Sequence, residues 1–378
     1  MKSNERILIL TASYGDGHIQ AARSLKHSFE RRGILQVQIM DLMKEAHPLL
    51  DKVTKTLYIN SMLISQYGLD YYGWSYYFTK DAEFHVGWGR YLNNLGQNKL
   101  RQTIQQMRPC AVISTFPFGA VPELCRQLGI PTFAVVTDFT LHARWKHPDI
   151  DKYYVAAYEL KEQLMASSIS SDRIEVSGIP IRKAFYESGR MDSSPFSSLT
   201  NNHRKTILIL AGSYGVLRSN DEIIDVVKNV TDSQVAVVCG RNRKLEHKLR
   251  LKYEGEPNVH IYGFVDNIHQ LMMISSCIIT KAGGLTLSEV LCLQVPIFIY
   301  KPFAGQEKEN AAFFSKKSAA YVSRNMKEMA FQIERFFSDP HYAVEMKRQM
   351  QLLHKEAADD FITQDILSSI KQPQMVLQ

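Results

Sequence analysis

The chain is 378 residues long, 45% hydrophobic and 22% charged, a composition that suits a globular protein of about two domains and excludes collagenous, coiled-coil and disordered classes. Its net charge of +7 is spread over both halves, so it has no basic arm of the kind a dedicated nucleic-acid binder concentrates on one face. Cys110, Cys125, Cys239, Cys277 and Cys292 form no CxxC pair and mostly sit in apolar runs, which reads as buried reduced thiols and argues against a zinc ribbon or dithiol redox motif.

The first element is Ile7-Leu-Ile-Leu10, an apolar run too short for a signal peptide that predicts a buried parallel strand. No stretch approaches the about 18 apolar residues that span a bilayer, so any membrane contact is expected from the surface. The turn Thr11-Ala-Ser-Tyr-Gly-Asp-Gly-His18 follows and opens a helix predicted over 19–32. Gly15 and Gly17 admit close backbone approach and unusual dihedral angles. Free N–H groups at the helix start favour an anion or polar ligand. His18 falls at the strand's carboxyl end, facing a cleft, where an imidazole suits general-base chemistry near neutral pH. A dinucleotide fingerprint is not met, because Gln20 stands where a third small residue is required.

Residues 71–91 hold Tyr71, Tyr72, Trp74, Tyr76, Tyr77, Phe78, Phe84, Trp88 and Tyr91. From Phe84 to Pro122 there is no acid, whereas Arg90, Lys99, Arg101 and Arg108 are present. Two readings stay open: a surface for the headgroup zone of an anionic membrane, or an aromatic-rich core helix with a solvated basic face. No nucleic-acid motif accompanies these residues.

Strands are expected over 111–114, 132–136 and 153–155, with a helix over 119–128. Asp138 ends a strand here and is a second candidate base, able to orient or replace His18. Asp149-Ile-Asp151 fits a metal-binding DxD out of context, and His142 and His147 lack a third ligand, so no metal site is expected. The polar stretch 190–204, rich in Ser and Asn, reads as a linker between domains at 1–195 and 203–345. Residues 346–378 are expected to form a helix returning to the first domain.

Beyond the linker, Ile207-Leu-Ile-Leu-Ala-Gly-Ser-Tyr-Gly215 repeats Ile7-Leu-Ile-Leu-Thr-Ala-Ser-Tyr-Gly15. The repeat predicts an α/β protein of two doubly wound domains, each opening with its first strand. Strands over 235–238, 259–262, 277–280 and 297–300 alternate with helices over 244–252, 285–293 and 309–317. The strand-end turns Gly212-Ser213, Gly240-Arg241-Asn242 and Phe264-Val265 would line one crevice edge. In Thr280-Lys-Ala-Gly-Gly-Leu-Thr-Leu-Ser-Glu289 the helix starts after Gly283-Gly284, and the N–H groups of Gly284, Leu285 and Thr286 would face a phosphate. Glu289 lies one turn further, where it can accept from a ribose diol. Arg241 and Lys281 would offset phosphate charge. No Gly-Lys-Ser/Thr follows the glycines, so this is not a P-loop. Gln306, Glu307, Glu309 and Asn310 suit a polyhydroxyl ligand.

These motifs, together with Thr137-Asp-Phe139, His142, Gly178-Ile-Pro-Ile-Arg182 and Gly305-Gln-Glu-x-x-Asn310, resemble the monogalactosyldiacylglycerol synthase and processive diacylglycerol glycosyltransferase family (glycosyltransferase family 28) over most of residues 5–355. The resemblance implies a GT-B fold, two Rossmann-like domains facing across a cleft. By motif, Phe264 and Val265 would meet uracil, and Glu289 the ribose. Ser213 and residues 283–286 would meet the diphosphate, and Glu307 and Asn310 the sugar hydroxyls. His18 would stand near the reacting hydroxyl of a lipid held by the N-terminal domain. The family's glycine-rich turn often has one more Gly where Tyr14 or Asp16 stands here. The implied activity is inverting transfer of a hexose, glucose foremost, from a UDP-sugar to diacylglycerol. It needs no cofactor or metal, and it takes place at the inner face of the cell membrane by a peripheral cytoplasmic enzyme. Another lipid acceptor, a UDP-sugar epimerase and a non-catalytic UDP-sugar sensor are the competing readings.

Overall fold

A computed structural model of the chain describes residues 5–13, 15–49, 52–53, 96–187, 196–200, 204–213, 215, 217, 219–230 and 233–371. Two six-stranded parallel sheets carry the fold. The first runs in the order β2-β1-β3-β4-β5-β6, from β1 (Arg6–Thr11), β2 (Gln36–Asp41), β3 (Ala111–Ser114), β4 (Thr132–Val135), β5 (Lys152–Val155) and β6 (Ile174–Val176). The second runs β12-β11-β10-β7-β8-β9. It is built from β7 (Lys205–Leu210), β8 (Ser233–Val238), β9 (Val259–Tyr262), β10 (Cys277–Thr280), β11 (Ile297–Tyr300) and β12 (Tyr321–Ser323).

The apolar run of β1 shows why a parallel strand needs no polar face. Ile7 and Ile9 pack with Ala22, Leu25 and Phe29 of α1 (Asp16–Arg31) on one side of the sheet. Leu8 and Leu10 pack on the other, with Leu100 and Ile104 of α2 (Gln97–Met107) and Val121 and Leu124 of α3 (Ala120–Gln127). All four strand residues are fully buried, each contributing about 1.5–3 kcal/mol of transfer free energy. A charge placed at Ile9 would have no partner there. In the second sheet Ile207, Ile209, Val235 and Val237 pack in the same way against Ile223 and Val227 of α4 (Asn220–Val230) and Ile333 of α5 (Met326–Ser338). The repeated motif therefore forms the first strand of each sheet. Cys125, Cys239 and Cys277 are buried free thiols; burial raises all three, Cys125 to about 12 and Cys239 to about 11.

Strand order fixes where ligands can enter. In the first sheet the chain moves from β1 to β2 and then crosses to β3 on the opposite side of β1. In the second it moves out through β8 and β9, then crosses to β10 on the opposite side of β7. Loops leaving the carboxyl ends of β1 and β3, and of β7 and β10, diverge at these switch points and open a crevice.

The chain forms two compact units. The described residues up to Lys183 and from Lys355 onward make the first; Ala184–His354 make the second. The described residues 184–187 and 196–200 belong to the second unit, the latter through particular contacts. Phe196 meets Tyr262 edge-on, and the Gln234 side chain donates to the Leu199 carbonyl. Helix α6 (Pro340–Leu353) belongs there too, its Met346 sulfur accepting from the Ile297 amide at 3.3 Å. Helix α7 (Ala358–Lys371) returns to the first unit and is clasped along α1: Arg31 donates to Asp359 and Asp360, and Ser28 donates to Asp360 at 2.6 Å.

Candidate functional site

In the first unit the switch point gathers the ends of β1, β3 and β4 around His18. The imidazole Nδ1 lies 2.9 Å from the Thr115 carbonyl and 2.7 Å from the Thr137 hydroxyl. Thr115, just past β3, returns a bond from its hydroxyl to the His18 carbonyl, and its amide donates to Leu10. Phe116 meets the imidazole edge-on with 5.2 Å between ring centres. A carbonyl can only accept, so Nδ1 carries the hydrogen and Nε2 is left with a lone pair, the form a general base requires. Burial drives the imidazole down to about 4, partly offset by the Thr115 carbonyl, and so keeps it neutral at physiological pH. Asp138 follows Thr137 directly and is buried. An apolar hollow opens near these strand ends, lined by Phe116, Phe118, Phe133, Trp145 and Ile150.

The helix here starts earlier than expected, at Asp16, with Gly15 as its cap and no side chain capping it. Gly15 has φ −171°, extended backbone that any residue adopts, so the unusual dihedral expected of it is not there. A side chain at Gly15 would meet nothing within 4 Å, which leaves open space on that side of the turn. Gly17 lies in the first helical turn.

In the second unit the strand-end loops interlock. Gly212 has φ +83°, and a Cβ there would stand 3.1 Å from the Lys281 stem. Gly240 has φ +61°, and its Cβ would stand 2.5 Å from the Gly212 carbonyl oxygen and 2.7 Å from that of Ser213. The Arg241 amide donates to the Ser213 carbonyl at 2.9 Å, tying the β7 and β8 loops together. The Arg241 guanidinium lies over the Phe264 ring at 5.1 Å, and Phe264 is half exposed on the β9 loop beside the half-buried Val265. The Asn242 side chain caps the helix Arg243–Lys252.

Helix α8 (Gly284–Leu293) starts directly after β10, with Gly283 as its cap, no side-chain cap and no acid in its first turn. The amides of Gly284, Leu285 and Thr286 thus belong to the first turn of a helix with no side-chain cap and no acid of its own there. Glu289, one turn in, is buried. Helix α9 (Gln306–Lys316) starts three residues earlier than the sequence pattern suggests, which places Gln306 and Glu307 in its first turn. Lys281, expected to offset phosphate charge, has its ammonium on the Glu307 carboxylate. Asn310 is fully buried and donates to the Ala282 carbonyl at 3.0 Å, locking α9 to the β10 loop.

The residues set aside in the sequence have structural employment. Asp149 pairs with Arg126, and Asp151 accepts from the Thr132 amide at 2.7 Å. His142 and His147 each accept a nearby backbone amide at Nδ1. Among the described residues no group of His, Cys, Asp and Glu could hold a metal, and no helix is long and apolar enough to cross a membrane. Arg101 is exposed on α2. Tyr71, Tyr72, Trp74, Tyr76, Tyr77, Trp88 and Arg90 lie outside the described residues. Two residues not singled out as site residues, Thr115 and Thr137, set the tautomer and surroundings of His18. Their signal was position alone, just beyond strands adjoining the switch point.

Residues 18–181 match the family described as "Monogalactosyldiacylglycerol (MGDG) synthase", and residues 206–363 match "Glycosyltransferase family 28 C-terminal domain". A processive diacylglycerol beta-glucosyltransferase of Bacillus cereus (strain AH187) is 38% identical over 374 residues, covering 97% of this chain and 95% of the relative. The protein of the same name from Bacillus thuringiensis (strain Al Hakam) is 39% identical over 373 residues, covering 97% and 94%. Among solved structures, an S. aureus MnaA–UDP complex superposes with a TM-score of 0.64 at 14% identity, covering 97% of this chain and 96% of that one. Acinetobacter baumannii MurG gives 0.60 at 15%, covering 96% and 99%. At such identities these two speak for the fold, two Rossmann-like domains of the GT-B type. Identity at the level of the Bacillus proteins, over nearly the whole of both chains, goes further: the chain belongs to the family of monogalactosyldiacylglycerol synthases and processive diacylglycerol glycosyltransferases.

Proposed function

We propose that the protein transfers glucose from UDP-glucose to the hydroxyl of diacylglycerol, with inversion, giving a β-glucosyl lipid. His18 takes the acceptor proton at Nε2 while Thr115 holds Nδ1–H, a role worth about 10²–10⁴-fold in rate. Asp138, buried beside Thr137, either offsets the charge His18 gains or is itself the base. The acceptor oxygen bonds to the anomeric carbon as the bond from that carbon to the diphosphate breaks. The leaving diphosphate gathers negative charge at the amides of Gly284, Leu285 and Thr286, so the reading calls for no metal. Phe264 and Val265 serve the uracil, Glu289 the ribose, Gly212, Ser213 and Gly240 the close approach of the diphosphate, and Gln306, Glu307 and Asn310 the hexose. The aromatic residues at 71–91, with Arg90 and Arg101, would seat the enzyme on anionic membrane from the cytoplasmic side.

The observation that carries the reading is the uncapped, acid-free start of α8 at the β7–β10 switch point, walled by glycine turns. The deciding experiment incubates the protein with UDP-glucose and diacylglycerol liposomes and reads lipid products by mass. A hexosyl-diacylglycerol is expected; no glycolipid from any UDP-hexose would remove the proposal.

A further inference from the structure

We infer that Lys281 is a positioning residue for the hexose and not a ligand of the diphosphate: it holds one oxygen of Glu307 so that the other is presented to a sugar hydroxyl. The inference rests on the donor-site reading above and adds to it the residue that sets sugar discrimination.

Glu307 is only 8% exposed, in the first turn of α9. Its Oε1 receives the Lys281 ammonium, whereas its Oε2 is buried without a hydrogen-bond partner. A carboxylate oxygen removed from water and given no donor is costly, and native structures keep one mainly where something else supplies the donor. A hexose hydroxyl is such a donor, and a charged acceptor makes that bond short and directional. The helix start beneath Glu307 suits an acceptor at that position.

Lys281 is held in this task from both ends. Its stem packs where Gly212 has no side chain, since a Cβ there would stand 3.1 Å from Lys281 Cε. Its head is engaged by Glu307, itself on a helix pinned by the Asn310 bond to Ala282. The lysine therefore lies across the β7–β10 switch point as a strut between the glycine turn and the helix that faces the sugar. Holding Glu307 also leaves the diphosphate to the bare amides of α8, which need no counter-charge from a side chain to act as donors.

The test compares wild type, Lys281→Met, Lys281→Arg, Glu307→Ala and the double variant Lys281→Met/Glu307→Ala. Readouts are UDP affinity by calorimetry and kcat/KM for UDP-glucose against UDP-glucoses lacking one ring hydroxyl each. A site built to bond a hydroxyl penalises the analogue lacking it, here by about 100-fold or more for at least one position. Lys281→Met is expected to shrink that penalty by about tenfold while changing the UDP dissociation constant less than about threefold. Lys281→Arg should restore it, and the double variant should be no worse than Glu307→Ala alone, as for residues acting as one unit. Loss of UDP affinity by about tenfold in Lys281→Met with the hydroxyl penalty intact would make the lysine a phosphate ligand and overturn the inference. Additive losses in the double variant would overturn it too. If Lys281→Met does not fold, Lys281→Gln removes the charge from the same position with a polar head and carries the same two expectations. Wild type that takes up no UDP at all would bring down the donor-site reading and this inference together. A failure confined to the variants would bring down the inference alone.

Discussion

Gly240→Ala separates backbone strain from the close approach that shapes the proposed donor crevice. The new Cβ would stand 2.5 Å from the Gly212 carbonyl oxygen and 2.7 Å from that of Ser213, both backbone atoms of the β7 loop. Side-chain rotation cannot relieve such a contact, so the β7 and β8 loops must part, straining the Arg241–Ser213 bond that joins them. At φ +61° an alanine also costs about 1–2 kcal/mol for the left-handed backbone, and overpacking adds about 1–3 kcal/mol. Gly255→Ala is the control: its φ is +82° but nothing lies within 4 Å of the added methyl, so it bears the strain without the clash. Thermal melts should place Gly240→Ala below Gly255→Ala by about 1–3 kcal/mol, equivalent to about 2–12 °C for a domain of this size. Calorimetry should show UDP affinity reduced for Gly240→Ala and unchanged for Gly255→Ala. If the two variants melt together and both bind UDP like wild type, the glycine turn is not what holds the crevice open, and the reasoning from close approach is wrong.

His18→Ala should lower kcat by about 10²–10⁴-fold while leaving UDP affinity unchanged; retained turnover would move the base to Asp138 or elsewhere. Because burial holds His18 at about 4 against 6.5 unfolded, the unfolded chain binds more protons between these values. Stability from this group is therefore complete above pH 6.5 and lost as pH falls toward 4, by at most about 3 kcal/mol. Denaturant melts of wild type and His18→Gln across pH 4–7 should show wild type losing ground to the variant as pH falls; parallel curves would place the imidazole in water. Thr286→Asp puts a carboxylate in the first turn of α8, where it should leave stability unchanged or raise it by about 0.3–1 kcal/mol while UDP affinity falls at least about tenfold. Undiminished UDP binding in that variant would remove the phosphate from this helix start.

Central strands were legible in the sequence because they are buried on both faces and read as unbroken apolar runs. Residues 111–114, 277–280 and 297–300 are such strands, with the bounds their composition predicts, and the edge strand at 259–262 also has its predicted bounds. The three strands without a sequence signal, β2, β6 and β12, all stand at sheet edges. Gln36, Gln38 and Glu175 keep contact with solvent there, so the apolar run is broken and periodicity has little to report. The internal repeat located the first strand of each sheet but not the uncapped helix start proposed to meet the diphosphate, since in the second unit that start follows β10 and the loop after β7 contributes its glycines. Lys281 was recognisable as a cation near the crevice. Its engagement with Glu307 was not, because nothing in the spacing of two residues on different elements specifies which charge a lysine will face.

The two switch points share geometry and differ in electrostatics, and the difference supports the proposed placing of acceptor and donor. Helix α1 carries Asp16 in its first turn, so its dipole is already answered by a carboxylate, and the histidine beside it is held neutral by burial. An anionic ligand there would meet a like charge, whereas a neutral hydroxyl would meet a lone pair at Nε2. Helix α8 has no acid in its first turn and no capping side chain, and Lys281, the cation beside it, is occupied by Glu307. In the proposed reaction amides are then the donors left to a diphosphate, and because they are fixed before it arrives they need no rearrangement as charge builds on the leaving group. The proposed reaction thus calls for an uncharged base at one helix start and for a fixed field that welcomes negative charge at the other. Exchanging the two helix starts would place the acid against the phosphate and leave the proton without a neutral acceptor. In the proposed reaction the carboxylate at Asp16 therefore separates the acceptor side from the donor side more sharply than the glycine pattern the two units share.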